Sequence, residues 1–252
     1  MSELIQKLCE RGQESLGAQH YIEAEQLLLQ AEREAIRQED WDSLARLYMP
    51  LQEVRRQRRQ KTREGVICLD LVSDGPGDFI EGRHVVENYP HGQLLVAGWG
   101  SIEPALQVRR LQGRFKLFVD VFLGAKYPLI GGGHAIVIVP HEHVTLPDLS
   151  PRRIADMPGV MPPHSIILRQ EELPTGIQKS SDSLTAMVQA WWERLHRAFL
   201  ADARRTHDPR KRIDAYRRVI RVDYACEFAH QELAVTAREL TRSPTGINRY
   251  QG

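Results

Sequence analysis

The stretch "QLLVAGWGSIEPALQVRRLQG", residues 93–113, changes character within a few positions. Its first seven residues are apolar on both faces, as in a strand covered by helices on either side. Gly98 and Gly100 flank Trp99 and end that strand. Ser101 can cap the helix-length piece that follows, whose first turn tolerates Pro104. Strand, glycine turn and helix, in that order, are the building unit of an α/β sheet.

The same alternation extends outward on both sides. Strand-like runs stand at 66–72 ("VICLDLV"), 115–123 ("FKLFVDVFL"), 135–140 ("AIVIVP") and 165–169 ("SIILR"). Helix-length pieces fall at 82–89 ("GRHVVENY") and 150–157 ("SPRRIADM"). The pattern predicts an α/β domain over 64–175 with a central, mostly parallel sheet of about five strands. The connection at 123–134, "LGAKYPLIGGGH", has no helical pattern, which leaves room for one antiparallel hairpin there.

Both flanks read as helix. In 1–63, Ile22, Leu27, Leu28, Ala31 and Ala35 form a broad stripe. Asp40 is a candidate N-cap for a third helix carrying Trp41, Leu44, Leu47, Leu51 and Val54, and Pro50 is expected to kink or split it. In 181–242, Asp208 followed by Pro209 marks a helix start. A polar tail, 243–252, completes the chain. Two segments, "HYIEAEQLLLQAEREA" (20–35) and "DAYRRVIRVDYACEFAHQELA" (214–234), resemble halves of tetratricopeptide repeats. Tyr21, Glu23, Ala24, Leu28 and Ala31 carry the likeness in the first segment. Ala215, Tyr216, Ile220, Asp223, Ala229 and Leu233 carry it in the second. The resemblance implies helical hairpins that present a surface to a protein partner. Each end has room for about one and a half units, fewer than the three that stack into a free array. The ends are therefore expected to dock on the α/β region or on each other. Residues 65–173 resemble no family.

Composition bounds the function classes. The 252 residues are 42% apolar and 27% charged, with a formal net charge of +1. That balance gives no whole-chain attraction for nucleic acid or an anionic membrane. Charge is nonetheless uneven, with ten acids and five bases in residues 1–50 but six bases and no acid in 55–63. The latter run, "RRQRRQKTR", raises nucleic-acid contact as a third reading. Without aromatic or glycine partners it reads instead as a solvated helix end. Three scattered cysteines and the absence of a CxxC pair fit a reducing cytoplasm. The opening residues, "MSELIQKLCERGQE", lack an apolar core, so no signal peptide is expected. No apolar run approaches a membrane span.

Candidate sites follow from the strand ends. In a doubly wound sheet ligands bind at the carboxyl edge. There the sequence places Asp70, Asp74, Gly98, Gly100 and Ser101 as candidate ligand-binding residues. Asp70, Asp74 and Asp78 could hold Mg²⁺ for phosphotransfer, but Asp-Gly and Pro-Gly pairs are also ordinary turn residues. Glu103 sits poorly beside an anion. His141 and His143 form an H-x-H pair that needs a third ligand, such as Asp70, Asp120 or His164, to hold zinc. No metal is expected, and no motif names a cofactor. Gly131–Gly133 precede a strand, the wrong side for a phosphate cradle, and read as a turn. No catalytic nucleophile stands out: Cys68 reads as core, and Ser101 lacks a G-x-S-x-G elbow. These readings lead to a protein-interaction or scaffold protein with a non-catalytic or degenerate α/β domain. The alternative is a small-molecule or nucleotide-binding α/β enzyme.

Overall fold

The computed structural model describes residues 2–242, and the expected polar tail lies outside the described residues. Three helices come first: α1 (Glu3–Gly17), α2 (Tyr21–Arg37) and α3 (Trp41–Arg63). Then follow β1 (Val66–Val72), α4 (Gly82–Asn88), β2 (His91–Trp99), α5 (Glu103–Phe115), β3 (Phe118–Pro128) and β4 (His134–Val139). The chain continues through β5 (Ile166–Arg169), β6 (Gln178–Lys179), α6 (Asp182–Arg205), α7 (Pro209–Val222) and α8 (Glu227–Arg242). Two compact units result. One joins the residues up to Arg58 with those from Phe199 onward, and the other is Arg59–Ala198. Among the described residues no helix is long and apolar enough to cross a membrane.

The helical unit is built from hairpins at both ends of the chain, α1 with α2 and α7 with α8. Gly12 permits the close approach of the first pair, since a Cβ there would sit 2.8 Å from Leu28 Cγ. The caps form as the sequence predicts. Asp40 Oδ1 accepts the Ser43 N–H at 3.0 Å, and Asp208 Oδ1 accepts the Arg210 N–H at 2.9 Å ahead of Pro209. Helix α3 runs through Pro50 without a break, one lost backbone donor being tolerated within 23 helical residues.

The arginine run corrects the expectation of a solvated helix end. Arg55 is only 6% exposed, and its Nε donates to Glu25 Oε1 at 2.8 Å. Arg58 donates to the other Glu25 oxygen at 2.6 Å. Burial alone would raise the Glu25 carboxyl. Arg58 and then Arg55 overcome that and hold it down at about 2. Arg55 also donates to His230 Nε2 at 3.1 Å, while His230 Nδ1 donates to the Cys226 carbonyl at 2.8 Å. Burial, followed by Arg55, brings the His230 imidazole down to about 3 and keeps it neutral. Farther along, Arg217 donates to Glu32 at 3.1 Å and Arg210 to Glu39 at 2.5 Å. Acids of the first fifty residues thus meet bases of the last fifty, Glu32 with Arg217 in a partly buried pair and Glu39 with Arg210 at the surface.

The α/β unit holds a six-stranded sheet in the order β5-β4-β3-β2-β1-β6. Only β1–β2 and β2–β3 pair in parallel; β3–β4, β4–β5 and β1–β6 are antiparallel. The sheet is therefore mixed, not the mostly parallel five strands expected. Helices α4 and α5 return the chain for parallel pairing. After β3 no α-helix intervenes, and the chain doubles back. The piece expected as a helix at 150–157 is instead a 3₁₀ turn over Ile154–Gly159 containing Pro158.

Each sheet face is covered. On one, Leu94, Val96, Val121 and Leu123 pack with Val85 and Val86 of α4 and Ala105 and Val108 of α5. On the other, the Phe122 ring stacks on Trp192 of α6 at 4.1 Å. Also on that face, Asp120 pairs with Arg59 of α3 at 2.9 Å, and Arg59 is 5% exposed.

Candidate functional site

The carboxyl ends of β1, β2 and β3 lie side by side, so Asp74 and the Gly98–Ser101 loop share one edge of the sheet. The Ser73 N–H bonds to the Ala97 carbonyl at 2.9 Å, which ties the loop after β1 to the end of β2. Asp70 lies deeper in β1. Its Oδ2 accepts the Gly176 N–H at 2.6 Å, just before β6, and its Oδ1 accepts from Cys68 Sγ at 3.3 Å. Burial, reinforced by Asp70, pushes the Cys68 thiol up to about 11, so it stays protonated and unreactive.

The two glycines are shaped by the chain's own packing. Gly98 donates to the Ser101 carbonyl at 3.1 Å, and a Cβ on Gly98 would fall 2.7 Å from that same oxygen. Gly100 has φ +60 and donates to the Lys126 carbonyl at 2.9 Å; a Cβ there would meet Leu149 Cδ2 at 2.5 Å. Leu149 thus packs directly over Gly100. Its loop is anchored nearby, where the Tyr127 hydroxyl donates to the Pro147 carbonyl at 3.2 Å. Ser101 Oγ accepts the Glu103 N–H at 3.1 Å, as a helix-starting serine does. Glu103 itself is paired with Arg110.

At the centre of this edge is Lys126. It is 3% exposed, and its Nζ donates to the carbonyls of Ser73 at 2.8 Å and Asp74 at 3.3 Å. The amine also lies 5.4 Å from the centre of the Trp99 ring, which His134 meets edge-on at 5.3 Å. Burial lowers the proton affinity of Lys126, against the opposing pull of Asp74 and Asp78. Burial and then Lys126 lower that of His134. Asp78 Oδ2 accepts the Asp74 N–H at 2.7 Å, closing the loop as a turn. Sequence reasoning missed Lys126 because "GAKYP" looked like the start of a connection. Its signal was a lone cation within a run that continues apolar to Tyr127.

The histidine pair past the end of β4 lies apart from this edge, while the glycine turn after β3 lies at it. His141 and His143 have ring centres 6.5 Å apart, and His141 Nδ1 accepts the His143 N–H at 3.2 Å. Among the described residues no three His, Cys, Asp or Glu side chains gather as a metal site would require. Gly131, Gly132 and Gly133 all take positive φ in the turn from β3 to β4. No family model matches the chain, and neither the curated proteins nor the solved structures provide a match.

Proposed function

We propose that this chain is a protein-interaction or scaffold protein: its helical unit docks a partner, and its α/β unit is non-catalytic or a degenerate enzyme. The observation that carries the reading is the filled carboxyl edge. Leu149 covers Gly100, Asp70 is bound to Gly176, and the Lys126 amine is bound to two backbone carbonyls. The tetratricopeptide resemblance of 20–35 and 214–234 supports docking by the helices, since such hairpins present grooves to peptide segments. A groove of about 200 Å³ in the helical unit, lined by Gln6, Glu10, Gln13, Arg46 and Pro50, is the candidate docking surface. The free thiols Cys9, Cys68 and Cys226 suit a cytoplasmic setting.

A second reading keeps the alternative of a small-molecule or nucleotide-binding enzyme at the same edge. The buried Lys126 amine against Trp99 favours it, because such an amine attracts anions or acts as a nucleophile. A thermal-shift screen of nucleotides, sugars and divalent metals separates the two. The interaction reading expects any shift to persist unchanged in Asp74→Asn and Ser101→Ala. A shift abolished by either substitution would replace it with the enzyme reading.

A further inference from the structure

The opposite end of the parallel strands holds an open cleft of about 830 Å³. The first residue of each parallel strand, Val66, His91 and Phe118, lines it, and Tyr89 adds a third aromatic ring. Sites for small molecules commonly span roughly 300–1,000 Å³ and combine apolar walls with a few polar groups. This cleft has that character. The His91 and Phe118 rings lie 6.0 Å apart, tilted, on one face of the sheet.

Charge narrows the occupant. Lys61 at the cleft's margin is matched by Glu64 at 2.9 Å. Lys179 of β6 also lines the cleft and has no ion-pair partner among the described residues. The cleft therefore carries a net positive charge beside three rings. One pleat farther along β2, Gln93 is 1% exposed, and its side-chain oxygen has no hydrogen-bond partner among the described residues. Gln93 is in register with Asp120, directly above the His91–Phe118 pair, and the charge of Asp120 is already matched by Arg59. Gln93 itself does not line the cleft, whose polar contacts come from Lys179 and its neighbours.

We propose that this amino-edge cleft binds a small organic anion carrying one planar ring. The ring rests against Tyr89, His91 and Phe118, and the anionic group meets Lys179. This ligand site lies at the end of the sheet opposite the one where parallel α/β sheets usually bind, and where the chain fills its own crevice.

Isothermal titration of the full chain with AMP, benzoate, adenosine and inorganic phosphate tests the assignment. AMP or benzoate is expected to bind saturably, with adenosine and phosphate weaker by about tenfold or more, since each lacks one of the two recognised features. Lys179→Glu should weaken the bound anion by about tenfold, while Lys179→Arg retains it. Both substitutions are at an exposed position, and an unchanged far-UV spectrum verifies the fold. The proposal is overturned if neither anion binds below about 5 mM. It is equally overturned if adenosine binds as well as AMP, or if Lys179→Glu leaves the affinity unchanged.

Discussion

Glu25 is buried between Arg55 and Arg58, with His230 on the far side of Arg55. Removing one partner of such a group leaves charge stranded without water, at a cost of about 3–5 kcal/mol. Glu25→Gln should lose that much stability in urea unfolding, whereas Glu53→Gln, on an exposed pair with Arg56, should lose under about 1 kcal/mol. His230 gives a pH signature. Its folded-state value of about 3 lies below the ordinary 6.5, so the unfolded chain takes up the proton first. Its contribution is complete above pH 6.5 and declines as pH falls toward 3, by up to about 1.4 kcal/mol per pH unit. Glu25, held at about 2 against an ordinary 4.5, adds a second loss of the same sign below pH 4.5. His230→Gln should flatten the stability profile between pH 6.5 and 4.5; a slope unchanged from wild type would contradict the buried neutral imidazole. None of this was legible in the sequence. Glu25 and Arg55 are thirty positions apart, and a run such as "RRQRRQKTR" looks the same whether water or a carboxylate receives it.

Elements were more readable than their pairing. The runs at 66–72, 93–99 and 135–140 lie on β1, β2 and β4 because short apolar stretches between turn residues have few other uses. Strand direction depends on what connects two strands, and in the 140–165 segment the piece that reads as a helix at 150–157 forms only a 3₁₀ turn. Strand β3 runs five residues past its expected end at Leu123. Gly124 lies there inside the sheet, where a Cβ would come within 2.8 Å of Ala97 and 2.9 Å of Leu95. The residues from Gly124 on read as part of the connection to the next strand, whereas Gly124 serves close packing inside the sheet. Gly124→Ala should accordingly cost about 1–3 kcal/mol through overpacking. Gly100→Ala should cost a similar amount, from its positive φ and from Leu149 above it. Chemical denaturation of both variants measures this, and a neutral Gly100→Ala would mean that Leu149 does not fill the edge. The site was half legible: Asp74 and the Gly98–Ser101 loop do share an edge. The Leu149 cover and the buried Lys126 depend on long-range packing that no local pattern encodes.

Across the whole molecule, a net charge of +1 conceals an acidic start and a basic finish that pair within the helical unit, Glu32 with Arg217 and, at its surface, Glu39 with Arg210. Within the 55–63 run, Arg55 and Arg58 are taken up by Glu25 and Arg59 by Asp120, which removes three of the arginines that a nucleic-acid reading needs. The proposed partner docking is assigned to the groove around Gln13 and Arg46. The central claim, that the helical unit docks a partner and the α/β edge binds no ligand, is tested most directly by the affinity of the full chain for a stoichiometric protein partner. That affinity is compared across Arg46→Glu and the Asp74→Asn/Ser101→Ala pair. The account predicts a loss of about tenfold or more for Arg46→Glu and no change for the edge variants. Undiminished binding by Arg46→Glu, with loss in the edge variants, would contradict it.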